Sequence, residues 1–233
     1  MNVKEKLMIV YKKLLKTYGE QGWWPILSNE HSEYNTLFKH KEKTLNEKFE
    51  ISIGAILTQN TAWRNVEKAL INLKSNGLLV PEEVLSVDIK KLAELIRPAG
   101  YFNIKAKKIK EFTRFFLSHK EDFKKNTLSR EELLSVWGVG LETADSILLY
   151  ALNKPFFVVD AYTKRLFYRL GFFSSERINY EDAQDFFHKN LSRDYKLFNE
   201  YHALIVEHAK QHCRKKPYCE GCVLLGLCRF KKD

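Results

Sequence analysis

Hydrophobic side chains recur every three or four residues along most of this 233-residue chain, which is the period of an amphipathic helix. The longest clear stretch begins at Val3 and ends at Tyr18, where Gly19 provides a stop signal. The same criteria predict further helices that end near Gly77, begin after Asp88, lie between Ile104 and Leu117, begin after Ser129, end at Gly171, and cover residues 180–190 and 194–210. We therefore predict an all-α protein, with a surface loop in the polar stretch 31–47.

The composition is that of a basic globular protein. The formal net charge is +10, and 45% of the residues are hydrophobic, which is enough for a packed core. The basic balance suits a polyanionic partner better than a small acidic metabolite. The N-terminus alternates charged and apolar residues, unlike a secretory signal, and no apolar stretch approaches the ~20 residues of a membrane span. We expect a soluble, cytoplasmic protein that binds no membrane.

A Gly-Val-Gly sequence at Gly138, Val139 and Gly140 separates two predicted helical stretches. Glycines permit a tight turn and a close approach of the backbone to another surface. The helix that starts near Leu141 would present free N–H groups, and the positive end of its dipole, to one DNA phosphate. An ordinary corner between two helices is the alternative interpretation of a lone Gly-x-Gly.

All four cysteines of the chain lie close together, at Cys213, Cys219, Cys222 and Cys228. Such clustering indicates a metal site rather than disulfides in a reducing compartment. Four thiolates can bind a tetrahedral zinc ion or a [4Fe–4S] cluster, and the spacing C-x5-C-x2-C-x5-C does not choose between them.

Several motifs together carry a resemblance to a known family. They are L-x-x-x-G-V-G-x-x-T-A-D at 134–145, the aspartate at 160, W-W-P at 23–25, Q-N-T-A-W at 59–63 and RPAGYFNIKAKKI at 97–109. With them the chain resembles the helix-hairpin-helix DNA glycosylases of the endonuclease III superfamily, above all their 3-methyladenine branch. The resemblance implies two helical lobes with a central DNA-binding cleft, in a monomer that acts on double-stranded DNA with damaged bases. One lobe would cover 47–150, with the helix-hairpin-helix at 128–152, the other would combine 1–46 with 151–212, and 213–228 would form an iron–sulfur loop.

The same resemblance implies roles for individual residues. Asp160 would be catalytic and lie at the mouth of the cleft, where its carboxylate would stabilise positive charge on the sugar or orient the attacking water. Gln59 would fill the gap that the flipped nucleotide leaves, and the four cysteines would hold a [4Fe–4S] cluster, with zinc as the alternative. The base pocket would be lined by Trp23, Trp24, Pro25, Trp63 and Lys210, and Gly138, Val139, Gly140 and Thr143 would bind DNA.

One position departs from the pattern of the family. Its bifunctional members carry a nucleophilic lysine two residues after the second hairpin glycine, where this chain has Glu142. A carboxylate cannot form the Schiff base through which those enzymes cut the strand. We therefore expect a monofunctional glycosylase for alkylated purines such as 3-methyladenine, whose positive charge suits an electron-rich aromatic pocket. The alternatives are a glycosylase for another lesion, such as an oxidised pyrimidine or a mismatch, and a non-catalytic module that binds damaged DNA.

Two further sets of side chains allow both a functional and a structural interpretation. Phosphate contacts, or equally a solvated helix face, are expected of Lys105, Lys107, Lys108 and Lys110. Satisfied or exposed imidazoles, rather than metal ligands, are expected of His202, His208 and His212.

Overall fold

The structure, a computed structural model, describes residues 2–27, 34–35 and 42–230. The helices are α1 (Val3–Tyr18), α2 (Leu45–Leu57), α3 (Trp63–Ser75), α4 (Pro81–Ser86), α5 (Ile89–Leu95), α6 (Phe102–Ser118), α7 (Lys120–Lys125), α8 (Arg130–Leu134), α9 (Leu141–Ser146), α10 (Ala161–Arg169), α11 (Tyr180–Asn190) and α12 (Tyr195–Gln211). Two short strands, β1 (Ile26–Leu27) and β2 (Tyr34–Asn35), pair antiparallel. The all-α class is confirmed, and most of the loop predicted at 31–47 lies outside the described residues. Within the described part of the chain, every helix is too short or too polar to cross a membrane.

Helix boundaries that were predicted from capping signals agree with the structure. Ser129 and Glu132 form the capping box predicted for α8, and the structure adds an unpredicted one of Asn2 and Glu5 at the start of α1. Asp88 caps α5 by accepting hydrogen bonds from the first N–H groups of that helix. These side chains satisfy backbone donors that the helix itself leaves without a partner.

Helix α2 was not predicted, because every residue from Lys48 to Leu57 is buried. A helix enclosed on all sides carries no polar face, so its sequence lacks the amphipathic period. Even Lys48 points inward, and its Nζ donates to the carbonyl oxygen of Phe123 and to Oδ1 of Asn126. The ammonium group thereby binds the end of α7, where helical carbonyl oxygens have no partner within the helix.

The residues Trp24–Lys154 form one compact unit around α2. Helices α3, α6, α7 and α9 pack against α2. Phenylalanines fill the core of this unit, with ring centroids 5.0 Å apart for Phe49 and Phe116 and 4.3 Å apart for Phe116 and Phe123. Full burial of such a ring contributes roughly 1.5–3 kcal/mol.

The second compact unit combines two distant parts of the chain, Met1–Trp23 and Pro155–Asp233. Helix α12 packs against α1 and α10, and the Tyr201 hydroxyl donates to the carbonyl oxygen of Leu7 over 2.8 Å. The rings of Phe157 and Phe187 stack with centroids 3.9 Å apart. This grouping puts Trp24 with the first unit, whereas the predicted lobe boundary lies at residue 47.

Candidate active site and nucleic-acid interface

The Gly-Val-Gly sequence forms a sharp reversal between α8 and α9. Gly138 has φ +89°, a value that favours glycine, and the N–H of Val139 donates to the carbonyl oxygen of Val136 over 3.0 Å. A Cβ atom on Gly138 would lie 2.5 Å from Cγ of Lys108, so the lysine chain occupies the space that a larger residue would need. Gly140 is the extended N-cap residue of α9, which continues as a π-helical turn over Ile147–Ala151.

Gln59 hydrogen-bonds with this hairpin. Its Nε2 donates to the carbonyl oxygen of Gly138 and to Oγ1 of Thr143, each over 3.0 Å. Its Oε1 accepts a hydrogen bond from Nζ of Lys108 over 2.6 Å. Because all three contacts use the side-chain amide, Gln59 and Lys108 together brace the turn.

Three of the four lysines of α6 bind other parts of the protein, which corrects the interpretation of the set as a solvated helix face. Lys105 is buried, its Nζ donates to the carbonyl oxygens of Leu57 and Ala99, and burial lowers its pKa to about 8. Lys110 donates to two carbonyl oxygens at the end of α4, and Lys108 is engaged by Gln59. Only Lys107 of the four is exposed. The inward lysines satisfy orphan carbonyl groups at helix ends.

The predicted aromatic residues divide between the two units. In the unit that contains α2, Trp24 packs edge-to-face on Trp63 with ring centroids 5.2 Å apart, and it also lies 5.2 Å from Tyr150. Trp24 is only 6% exposed, whereas Trp63 is partly accessible. A Cβ on Gly54 would approach Trp24 to 3.1 Å, so this glycine makes room for the indole. Pro25 is also buried in this unit.

The sequence does not single out Tyr150, which lies between the hairpin motif and Asp160, in the π-helical turn after α9. Nothing in its local sequence distinguishes it from the other buried apolar residues around it. In the second unit, Nζ of Lys210 lies 5.7 Å from the ring centroid of Trp23, within the range of a cation–π contact. The structure therefore pairs Trp24 with Trp63, and Trp23 with Lys210.

Asp160 is the N-cap residue of α10, in the second unit. Its Oδ1 accepts hydrogen bonds from the backbone N–H of Thr163 over 2.7 Å and from the hydroxyl of Thr163 over 2.9 Å. The residues directly before it belong to no helix or strand, and the Phe157 backbone is held by Gln184 and His188 of α11. The capping role places the carboxylate at the start of a helix, where the dipole favours negative charge.

His202 of α12 faces the other oxygen of this carboxylate. Its Nε2 lies 3.6 Å from Oδ2 of Asp160, and the two side chains are only 12% and 14% exposed. Burial by itself raises the pKa of Asp160, but His202 and then Thr163 outweigh it, so that the pKa lies below its usual value. Asp160 is therefore ionised at neutral pH. The sequence does not link His202 with Asp160, because nothing in it indicates that α10 and α12 pack together.

The four cysteines are free and line one cavity at the end of the second unit. Nη1 of Arg169 lies 3.3 Å from Sγ of Cys213 and also donates to the carbonyl oxygen of Arg214. Nε of Arg165 donates to the carbonyl oxygen of Cys213 over 2.8 Å. Burial raises the pKa of the Cys213 thiol, and Arg169 partly offsets this effect. Two cationic side chains thus support a site whose four sulfur donors fit a thiolate-bound metal group.

Two histidines near this cavity, His208 of α12 and His212 directly after that helix, have hydrogen-bond partners, and Nε2 of His208 lies 3.7 Å from Sγ of Cys222. His208 is buried, its Nδ1 lies 2.9 Å from the Tyr18 hydroxyl, and burial lowers its pKa to about 4. His212 stacks on Tyr218 and hydrogen-bonds with the carbonyl oxygen of that residue. Among the described residues, no three His, Cys, Asp or Glu side chains converge closely enough to hold a single metal ion.

Comparisons with known proteins agree with this geometry. Residues 53–193 match the family described as HhH-GPD superfamily base excision DNA repair protein. A candidate DNA repair glycosylase of Methanocaldococcus jannaschii is 46% identical over 238 aligned positions, which cover 99% of each chain. Endonuclease III of Sulfolobus acidocaldarius is 30% identical over 191 residues, which cover 79% of this chain and 83% of the relative.

Solved structures with the same fold include two that contain a DNA component. The 3-methyladenine DNA glycosylase of H. pylori, bound to 1,N6-ethenoadenine, has a TM-score of 0.70 and 30% identity, with 91% of this chain and 98% of that chain covered. A trapped Endonuclease III–DNA covalent intermediate has a TM-score of 0.77 and 20% identity, with 98% and 97% covered. At that identity the second similarity shows the fold alone.

Proposed function

The chain belongs to the HhH-GPD superfamily of base excision DNA repair proteins and is a DNA glycosylase of the endonuclease III superfamily, and on that basis we propose that it is a monofunctional enzyme that releases alkylated purines of the 3-methyladenine type. Its substrate would be double-stranded DNA with damaged bases, and it would act as a monomer in the cytoplasm, on the DNA of the nucleoid. The proposal rests above all on Glu142.

Glu142 lies exposed in the first turn of α9, directly after the hairpin. It takes the position at which the bifunctional members of the family carry their nucleophilic lysine. A carboxylate at neutral pH supplies no amine for a Schiff base, so the strand would stay intact after the base has left. Water is then the nucleophile, and the product is an abasic site.

The aromatic residues support an alkylated purine as the substrate. Trp24, Trp63 and Tyr150 form a contiguous cluster with electron-rich rings. Methylation at N3 or N7 gives a purine positive charge, which favours contact with such rings. The family resemblance implies that Trp23 and Lys210 also contact the base. The 30% identity with the 3-methyladenine DNA glycosylase of H. pylori points to the same class of substrate.

Asp160 would provide the catalytic carboxylate. Positive charge develops on the sugar as the glycosidic bond breaks, and an ionised carboxylate stabilises that charge or orients the attacking water. The low pKa of Asp160 keeps the carboxylate ionised at neutral pH. Since a charged base is already a good leaving group, the site needs little acid catalysis.

The four cysteines would hold a [4Fe–4S] cluster. Four thiolates are the ligand set of such a cluster, and the four cysteines line one cavity. The family resemblance favours the cluster over zinc, which remains the alternative. The cluster would act as a structural element that holds the loop 213–228 in shape, with no part in base release.

The proposal is tested by incubation of the protein with duplex DNA that carries alkylated purines. Free base and strand breaks are measured, the latter with and without alkali. We expect free 3-methyladenine, with breaks only after alkali. Breaks without alkali would overturn the monofunctional assignment. Release of oxidised pyrimidines alone would favour the second candidate function, a glycosylase for another lesion. The similarity to Endonuclease III of Sulfolobus acidocaldarius supports that candidate.

Two variants separate catalysis from binding. Asp160→Asn keeps the shape and the capping acceptor and should lower base release by about 10²- to 10⁴-fold with unchanged DNA affinity. Unchanged turnover would contradict the catalytic role of Asp160, and no base release by either protein from any lesion would favour a non-catalytic module.

Glu142→Lys restores an amine at the hairpin, and we expect borohydride to trap a covalent complex with this variant but none with the parent protein.

A further inference from the structure

A shallow groove of about 490 Å³ lies beside the hairpin, in the unit that contains α2. We name it the α6 groove, and its lining residues are Ile89, Lys107, Lys110, Glu111, Arg114 and Trp137. Of its residues, only Lys107 and Lys110 have a role in the sequence analysis, as expected phosphate contacts, and the groove with Trp137 is assigned none. Its position, its apolar floor and its charge each bear on what it binds.

The floor of the groove includes an indole ring that is 54% exposed, that of Trp137. Trp137 directly precedes Gly138, so the hairpin backbone carries this ring. Large aromatic side chains are enriched at contact surfaces, since they bury much apolar area at low cost in conformational entropy. Ile89 is also an exposed apolar residue and extends the floor.

Positive charge follows one side of the groove. Lys107, Lys110 and Arg114 lie on one face of α6 at three- and four-residue spacing. Lys110 is held by carbonyl oxygens of Leu85 and Val87, so the accessible cations are Lys107 and Arg114. They are two helical turns apart, about 10 Å along the axis. The ion pair of Arg114 with Glu111 spans 2.5 Å between half-exposed side chains, and such pairs are weak enough to be exchanged for a phosphate.

We propose that the α6 groove binds the sugar–phosphate backbone of a DNA strand that continues past the hairpin. The indole of Trp137 packs on one nucleotide, and Lys107 and Arg114 bind neighbouring phosphates. Cations bind the phosphates of the strand, and an exposed indole beside them can cover the apolar face of a deoxyribose. The overall charge of +10 favours DNA over other partners of the same shape. The inference rests on the proposed function, because it needs DNA at the hairpin.

The test combines variants with duplexes of different length. The probe is a fluorescent duplex with a central, stable abasic-site analogue, shortened stepwise on either side of that site. We expect Trp137→Ala to weaken binding of the long duplex about 5- to 50-fold, with Trp137→Phe intermediate. When the duplex is shortened on the side that reaches the α6 groove, the affinity of the parent protein should fall to that of Trp137→Ala. For all shorter duplexes the two proteins should bind equally.

Salt dependence distinguishes the ring from the charges. Lys107→Ala should reduce the slope of log K against log salt by about 0.9, the value for one phosphate, whereas Trp137→Ala should leave the slope unchanged. The matched control is Lys12→Ala, since Lys12 lies in a similar basic groove on α1 that has no aromatic ring. We expect this control to bind like the parent protein.

Three results would overturn the inference. They are unchanged affinity of Trp137→Ala for the long duplex, an effect of that variant that is equal at every duplex length, and an equal loss of affinity in Lys12→Ala and Lys107→Ala. The proposed function fails separately, through absence of base release. Even if the protein releases no base, the inference can be tested by comparing the affinities of the parent protein and Trp137→Ala for a long undamaged duplex.

Discussion

Asp160 and His202 lie far apart in the sequence and 3.6 Å apart in the structure. Family resemblance was enough to single out Asp160, but its partner depends on the packing of α10 against α12, which no local pattern encodes. Trp23 and Trp24 show that proximity in the sequence does not predict a shared contact either. They are neighbours in the chain, yet the first pairs with Lys210 and the second with Trp63. Which way each side chain turns is decided by the surfaces available to it in the fold.

The first prediction concerns His202 as a positioning residue for Asp160. His202→Ala removes the strongest influence that lowers the pKa of Asp160, so burial should raise that pKa. The acid limb of the pH profile of base release should therefore move to higher pH, with little change on the alkaline side. Single-turnover rates between pH 4 and 9 measure the shift. His202→Gln, which retains a hydrogen-bond donor, should shift the limb less.

An acid limb at the same pH in all three proteins would contradict this role of His202. The control variant is His119→Ala, because His119 lies in the other compact unit and stacks on Phe115. Its pH profile should match that of the parent protein.

At the scale of elements, amphipathic helices were predictable and enclosed elements were not. Helix α6 was predicted between residues 104 and 117 and covers Phe102–Ser118, whereas the enclosed α2 showed no period at all. The functions of the α6 lysines were equally hidden. A lysine that binds the end of a neighbouring helix has the same spacing in sequence as one that faces solvent. The residues directly before Asp160 belong to no helix or strand, and side chains of α11 hold them, a contact that the sequence does not indicate.

Glu50 carries the prediction that belongs to α2. Its side chain is 5% exposed, and Oε1 accepts a hydrogen bond from the N–H of Leu27 in β1 over 2.8 Å. Burial raises its pKa from about 4.5 to about 7. A carboxyl whose pKa is raised in the folded state destabilises the fold as pH rises from about 4.5 through about 7. Glu50→Gln keeps the acceptor without the charge, so it should be more stable than the parent protein at pH 8 by about 1–3 kcal/mol.

Urea unfolding at pH 5 and pH 8 measures this difference. The two proteins should be similar at pH 5, where Glu50 is mostly neutral. The surface variant Glu176→Gln is the control, and its stability should follow that of the parent protein at both values of pH. A constant difference between Glu50→Gln and the parent protein would mean that the charge of Glu50 is not the cause.

For the whole molecule, the discontinuous unit is the feature that local patterns cannot reveal. Hydrophobic periodicity reports that α1 and α12 each have an apolar face, but it does not say that these faces meet. Only the family resemblance implies a unit that is built from both ends of the chain. Contacts such as the one between Tyr201 and Leu7 supply its physical basis. Because these contacts join distant residues, we expect this unit to fold more slowly than the contiguous one.

The corresponding prediction uses Leu14, which is fully buried in α1. Leu14→Ala should cost about 2–5 kcal/mol in the discontinuous unit. Hydrogen exchange should therefore accelerate in α10 and α12 and remain unchanged in α2 and α9. The matched variant Leu57→Ala alters the contiguous unit, where Leu57 is equally buried, and should give the reverse pattern. Uniform acceleration by both variants would show that the two units unfold together.

The attachment of the cysteine loop has a consequence for how this chain can diverge. Arg165 and Arg169 bind the carbonyl oxygens of Cys213, Arg214 and Lys215. A carbonyl group is the same in every residue type, so these contacts place no demand on the side chain at 215, whereas Nε of Arg214 itself donates to the carbonyl oxygen of Lys210. Lys215 can therefore be exchanged in evolution without loosening the loop, while Arg165 and Arg169 are difficult to replace. The surface residues of the loop can therefore change in evolution and form a new binding surface, while Arg165 and Arg169 keep the loop attached.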